Sequence, residues 1–239
     1  MGGEVSNGVA EGEGFGALGR SLIVVPAYNE SQVLAQVLTS LIDRFPRVVV
    51  VDDGSIDGTS VIARNFGVNL ITHPVNLGQG AAIMTGVQWG LSKGCFDLFA
   101  TYDSDGQHRP EDLLQAFCKQ KSTGVDVVLG SRFLSDSSDV PKGKRLLLKA
   151  ALIQTRLATG LKVTDTHNGM RVFTAQVART LSLSNGMSHA SDFLQLIAQR
   201  RFRFAEAPVT ISYTKYSKSK GQPMINAVNI LFDSLTRSS

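Results

Sequence analysis

RVVVVDDGSIDGTSVIARNF, residues 47–66, decides the architecture. A run of β-branched residues stops at Asp52-Asp53-Gly54, and the chain then passes through Ser55 and Asp57, both capping types, into a helical pattern. A continuously apolar strand that ends in acid and glycine and feeds a helix is the repeating unit of a parallel sheet covered on both faces.

The same alternation extends outward in both directions. SLIVVPA (21–27) is a strand ended by proline, and ESQVLAQVLTSLIDRF (30–45) carries apolar residues at 33, 34, 37, 38, 41 and 42, a helical spacing. Downstream come a short strand GVNLITH (67–73), a small-residue helix LGQGAAIMTGVQWGLSKG (77–94) and a strand CFDLFATYD (95–103). A helix PEDLLQAFCKQKSTG (110–124) starts on proline with acids in its first turn, and a strand VDVVLGSR (125–132) follows. An α/β fold with a mostly parallel sheet and helices on both faces is therefore expected.

Later segments are less regular. A basic amphipathic helix over about 142–159 leads into the turn-rich VTDTHNGMRVFT (163–174), which feeds a strand. SHASDFLQLIAQRR (188–201) reads as a helix, FAEAPVTISYT (204–214) as an exposed strand, and QPMINAVNILFDSLTR (222–237) as a closing amphipathic helix. With no internal repeat and no dividing linker, residues 21–239 are expected to be one domain. MGGEVSNGVAEGEGFGALGR (1–20) holds seven glycines and no apolar core, so it reads as a disordered tail rather than a signal peptide.

Composition narrows the class. An apolar fraction of 43% and a charged fraction of 18% suit a globular core. Cys95 and Cys118 have no metal-type spacing and read as two reduced, buried thiols of a cytosolic protein. No apolar run reaches the roughly 20 residues that span a bilayer. The net charge is +4, but Lys142, Lys144, Arg145, Lys149, Arg156 and Lys162 fall in a stretch without one acid, and Lys215, Lys218 and Lys220 form a second cluster. That asymmetry points to an anionic partner, and nothing calls for nucleic acid.

In open parallel sheets the ligand site lies at the carboxyl ends of the strands, and there the polar signatures collect. They are Tyr28-Asn29-Glu30, Asp52-Asp53, Asp103-Ser104-Asp105 and Ser131-Arg132. In an extended segment the side chains of Asp103 and Asp105 point the same way and can converge on one cation. Hard oxygens suit Mg²⁺ or Mn²⁺, and Gln107 can supply a third. The plainer alternative is a pair of turn-forming aspartates ahead of Pro110. Asp52 and Asp53 can accept from a nucleobase N–H or a ribose hydroxyl, or can serve the turn alone; Asp57 reads as a helix cap. The G-x-G of NLGQGAAIMTG follows the third strand, with no acid about 20 residues on at a strand tip, so close packing explains it better than dinucleotide binding.

Together PAYNE (26–30), VDDGSIDGT (51–59), NLGQGAAIMTG (76–86), DSDGQHRPED (103–112), GSRF (130–133) and NGMRVF (168–173) resemble the family 2 glycosyltransferases, in particular the dolichol- and polyprenyl-phosphate sugar transferases. The resemblance covers roughly residues 21–220. It implies a GT-A (Rossmann-like) fold and a UDP- or GDP-sugar donor. Pro26, Tyr28 and Glu30 would line the nucleotide pocket, with Asp52 and Asp53 near base and ribose. Asp103, Asp105 and Gln107 would hold Mg²⁺ or Mn²⁺ on the diphosphate, and Arg132 would meet phosphate charge. YTKYSKSKGQ (213–222) resembles the basic segment that closes over the donor, where Lys220 would touch the diphosphate, although it departs from the family's usual pattern.

The implied reaction is metal-dependent, inverting sugar transfer to a polyprenyl-phosphate or lipid-linked acceptor in cell-envelope glycan synthesis. A hydroxyl acceptor, soluble or protein-borne, is the alternative and needs a general base, for which Asp192 and Asp165 are candidates. A phosphate acceptor, with a second pKa of about 6, is largely anionic already. His108, His167 and His189 form no metal spacing and read as structural. A sugar-nucleotidyltransferase or an inactive nucleotide-sugar-binding module are the remote readings. The Leu-rich basic stretch 141–162 fits a helix on an anionic membrane or one packed on the domain, so the expected location is cytoplasmic, with any membrane contact peripheral at the inner face. Oligomeric state is not written in the sequence.

Overall fold

The computed structural model describes residues 18–134, 152–166, 168–184 and 189–212. Seven strands form one sheet: β1 (Ser21–Ala27), β2 (Val48–Asp52), β3 (Asn69–Thr72), β4 (Leu98–Thr101), β5 (Val127–Ser131), β6 (Arg171–Thr174) and β7 (Phe204–Pro208). Between and after them run α1 (Leu34–Ile42), α2 (Thr59–Asn65), α3 (Gln79–Lys93), α4 (Pro110–Thr123), α5 (152–159), α6 (Ala175–Thr180) and α7 (His189–Arg200), with a 3₁₀ turn at Arg132–Leu134.

The strand order is β3-β2-β1-β4-β6-β5-β7. All neighbouring pairs are parallel except the two that involve β6, which runs against β4 and β5. β1, β2 and β5 are buried at every position, as strands covered on both faces must be. Alternate residues feed two separate cores. Ile23, Val25, Val48 and Val50 pack under α1 and α4 with Leu38, Leu41, Leu113 and Phe117, whereas Leu22, Val24, Val49 and Val51 pack under α3, α6 and α7 with Ile83, Val87, Val177 and Phe193. Each fully buried Val, Leu or Phe contributes about 1.5–3 kcal/mol relative to staying exposed.

α3 lies close to the sheet because it carries glycines on its inner face: a Cβ at Gly86 would overlap Val24 and meet Val51 Cγ2 at 3.2 Å. This is the packing role expected for NLGQGAAIMTG. α4 begins with Pro110 in its first turn, followed by Glu111 and Asp112.

Four details differ from expectation. β6 is antiparallel, and α6, capped by Thr174 accepting from Val177 N at 3.4 Å, follows it directly. After β7, Val209 and Ile211 are buried, so the segment expected to be exposed packs inward. Cys95 and Cys118 are free but exposed. Leu18 is buried, Ser21 Oγ donates to its carbonyl at 2.7 Å, and Arg20 pairs with Asp97 at 2.5 Å, so the packed chain starts before residue 21. The glycine-rich tail up to residue 17, the basic stretch 135–151 and the closing helix lie outside the described residues. Over 152–159, Ile153 and Leu157 are exposed while Arg156 donates to Val163 O at 2.7 and 2.9 Å.

β2 and β3 extend to one side of β1, and β4 begins the other side. The order reverses between β1 and β4, and the loops after these two strands therefore flank the crevice where such sheets take ligands.

Candidate active site

Loops after β1 and β2 are stitched together. Asn29, in the left-handed region at φ 54°, donates its N–H to Ser55 Oγ at 2.8 Å and accepts from Ile56 N at 3.0 Å. Glu30 N donates to Thr59 Oγ1 at 2.9 Å. Asp57 accepts from Ser31 N at 3.1 Å and Thr59 N at 2.9 Å; burial pushes its pKa up, but the hydrogen bonds from Thr59 and Ser31 outweigh it and bring it down to about 2. Tyr28 stands 41% exposed at the rim, Pro26 is buried with its carbonyl accepting from Ser104 Oγ at 2.7 Å, and Glu30 is buried.

Asp52 and Asp53, expected near base and ribose, are turned into the protein. Asp52 accepts from Ser55 N at 3.0 Å and from Ser60 Oγ. Asp53 accepts from Leu77 N at 3.0 Å, Gly78 N at 2.7 Å and His73 Nδ1 at 2.7 Å, and His73 Nε2 reaches Thr85 Oγ1 at 2.9 Å. A fully buried carboxylate requires such partners, and the loop N–H groups of the β3–α3 connection supply them. These two aspartates shape the walls of the crevice.

Asp103 stands just beyond β4. Its Oδ1 accepts from Gln79 Nε2 at 2.9 Å, its Oδ2 from His108 Nε2 at 3.2 Å, and the carboxylate lies so close to Gly169 that no side chain fits there. Burial opposes its charge, yet the His108 hydrogen bond and charge, with His189 and Arg171, hold it below the ordinary carboxylate range. His108, itself buried beside the Tyr102 ring at 5.7 Å between centroids, is raised because Asp103 outweighs burial. Asp105 Oδ1 accepts from Gln107 N at 3.0 Å and its Oδ2 from Gln107 Nε2 at 2.5 Å. Gln107, expected as an oxygen ligand, here braces Asp105 through its nitrogens. Burial first and the Asp103 charge second raise Asp105 above the usual range.

Arg132, expected to meet phosphate, is buried against Asp165. Its Nε and Nη2 donate to the two carboxylate oxygens at 2.6 and 2.7 Å, and its backbone N–H adds a third bond at 3.1 Å. Glu206 on β7 holds the Asp165 loop by accepting from Thr164 N at 2.7 Å and Thr164 Oγ1 at 2.9 Å. A bidentate pair of this kind commits both partners, so Asp165 and Arg132 anchor each other at the β5 tip. Asp192, in the first turn of α7, accepts from Ser184 N at 2.8 Å and from Ser184 Oγ. It lines a cavity of about 380 Å³ with Ser182, Ser184, Gln195 and Gln199. Lys220 and its basic neighbours fall outside the described residues.

Gln79, His108 and Arg171 carry no signal of a role at Asp103 in the sequence: the histidines read as structural, and NGMRVF marks the segment without marking its arginine. Arg171 opens β6 opposite Thr101, is 2% exposed, and lies over the Phe193 ring at 4.9 Å. Burial brings it down to about 10, with Asp103 and Asp165 opposing. A lone arginine in a strand pattern gives no periodic signal; only a buried position in an otherwise apolar strand hinted at it.

Two carboxylates two residues apart, one of them raised by burial and then by the charge of the other, fit a divalent cation by donor chemistry and by charge. Among the described residues no group of three or more His, Cys, Asp or Glu encloses a metal.

A mostly parallel sheet with one reversed strand and a carboxylate pair at its switch point is the GT-A fold. The chain belongs to glycosyl transferase family 2, whose model matches residues 22–182, and it is a glycosyltransferase. It is 31% identical over 214 residues to an undecaprenyl-phosphate mannosyltransferase of Micrococcus luteus, covering 84% of this chain and 87% of that protein. It is 28% identical over 215 residues to a polyprenol monophosphomannose synthase of Mycolicibacterium smegmatis, covering 84% and 80%. In fold it resembles glucosyl-3-phosphoglycerate synthase of Mycobacterium tuberculosis, solved with Mn²⁺, uridine diphosphate and phosphoglyceric acid, with a TM-score of 0.69 at 17% identity over 93% of this chain and 81% of that one.

Proposed function

We propose that the protein transfers a sugar, with inversion, from a nucleotide-sugar donor to a polyprenyl-phosphate or lipid-linked acceptor in cell-envelope glycan synthesis, using Mg²⁺ or Mn²⁺. The observation that carries this reading is the Asp103–Asp105 pair at the switch point, where like charges crowd together and a cation would relieve them. The names of the relatives support the acceptor class, and the fold neighbour, solved with Mn²⁺ and with Mg²⁺ beside uridine diphosphate, supports the donor and metal.

Asp103 and Asp105 would hold the cation, braced by Gln79, His108 and Gln107. The ion would supply Lewis-acid neutralisation of charge on the leaving diphosphate. Tyr28 at the rim would cover the nucleotide, while Asp52 and Asp53 keep the crevice walls in place. Arg132, locked by Asp165, would fix the β5 tip on the acceptor side. Lys220 would lend a further positive charge to the diphosphate. With Asp165 committed to Arg132, an acceptor already anionic at neutral pH suits the site, because no base need take its proton.

A hydroxyl acceptor is the second reading, favoured by Asp192 beside a cavity of serine and glutamine side chains. The deciding experiment follows release of nucleoside diphosphate with UDP- and GDP-sugars, Mn²⁺, and either a polyprenyl phosphate or a free glycan. Turnover with the polyprenyl phosphate, lost on Asp105→Ala, supports the first reading. Unchanged turnover in Asp105→Ala would sink the metal assignment, and turnover with the glycan alone, lost on Asp192→Asn, would support the second.

Among the described residues no helix is long and apolar enough to cross a membrane. Ile153 and Leu157, both exposed, would let the 152–159 helix rest on a bilayer surface from the cytoplasmic side.

A further inference from the structure

We infer that Arg171 is a positioning residue that couples the loading of the divalent cation to the loading of the nucleotide diphosphate. The inference rests on reading Asp103 and Asp105 as the cation site.

Arg171 stands at the head of β6, in register with Thr101, two residues before Asp103. The two strand ends are tied by Thr101 Oγ1 donating to Gly169 O at 2.5 Å, and the Asp103 carboxylate rests directly on Gly169. The Arg171 charge is felt at the Asp103 carboxylate, and a guanidinium within reach of a carboxylate commonly forms a fork with it. Here it does not. Its Nη1 is buried without a hydrogen-bond partner, and the guanidinium carbon stands 4.9 Å from the centre of the Phe193 ring. The Asp103 oxygens are left to Gln79 and His108, with lone pairs remaining for a cation.

A buried positive charge held by a ring and a strand, whose field reaches the Asp103 carboxylate without a hydrogen bond to it, has a defined electrostatic effect. It repels a dication that arrives alone, and it attracts the anionic diphosphate that arrives with one. Coulomb energy falls only slowly with distance in a poorly hydrated interior, so no direct contact with either ligand is required. The site therefore binds the bare cation weakly and binds cation and diphosphate together. Arginine suits this task because its charge persists when buried.

The test measures Mn²⁺ binding to the full chain by electron paramagnetic resonance, without nucleotide and with UDP or GDP. Arg171→Met should bind Mn²⁺ alone about tenfold more tightly than wild type, since one repelling charge is gone. The gain in Mn²⁺ affinity on adding nucleotide should shrink by a similar factor. Arg171→Lys near neutral pH should keep the wild-type pattern. Phe193→Leu, which removes the ring but leaves the charge, should keep it too. Unchanged or weaker Mn²⁺ binding in folded Arg171→Met, or a Phe193→Leu that shifts affinity as Arg171→Met does, would overturn the inference and leave Arg171 a packing residue. Arg171→Gln carries the same expectations should the methionine variant not fold. Wild type that binds Mn²⁺ equally with and without nucleoside diphosphate also overturns it. Absence of Mn²⁺ binding under every condition would remove the cation-site reading as well.

Discussion

Arg132 and Asp165, 33 positions apart, meet in a buried bidentate ion pair of 2.6 and 2.7 Å, with side-chain exposures of 9% and 1%. Breaking such a pair from one side strands a buried charge. Asp165→Ala should therefore destabilise the fold by about 3–5 kcal/mol, and the double variant Arg132→Met/Asp165→Leu by less than the single. Urea unfolding of wild type, both singles and the double decides the matter. Additive losses would show that the two groups do not depend on one another.

Glu206 should act on the same loop at one remove. Replacing it with Ala leaves Thr164 N without its acceptor, a loss of about 1–3 kcal/mol. Glu206→Gln, which keeps an acceptor oxygen, should recover a large part of it in the same unfolding assay.

Gly169→Ala should separate activity from stability. A methyl at this position would collide with the Asp103 carboxylate and has to displace it. Turnover should fall by at least about 100-fold, as misplacement by about 1 Å can produce, while the melting temperature changes little. An active Gly169→Ala enzyme would mean that Asp103 is not held where the structure shows it.

Asp57 offers a clean dependence on pH. Its folded pKa of about 2 lies below the unfolded value near 4, so its contribution is complete above the unfolded value and is lost as pH falls through the folded one. Thermal unfolding of wild type and Asp57→Asn should differ at pH 5 and converge toward pH 2. A gap that stays constant across that range would mean the carboxylate charge is not what holds the loop.

Much of this protein was readable in local patterns. VVVVD and LIVVPA announce buried strands, the apolar spacing over 33–42 announces a helix, and the polar tips after β1, β2, β4 and β5 mark the edge where the site lies. These signals depend on periods of two and 3.6 residues, which neighbours along the chain express by themselves. Six motifs in order then carried the family. Direction and pairing were not readable in that way. β6 is apolar enough for either orientation, and only its pairing with β4 and β5 shows that it runs antiparallel.

The same division runs through the site. The sequence alone determined that Asp103 and Asp105 stand just beyond the end of an apolar strand. Tertiary structure decided which residues offset their burial: Gln79 from α3, His108 from the following turn and Arg171 from a strand 68 residues on from Asp103. It also gave Asp165 and Asp53 their partners, Arg132 for the one and His73, Leu77 and Gly78 for the other. The physical reason is that a buried charge is stable only when matched, and its match is set by which distant segments the sheet brings to the same edge.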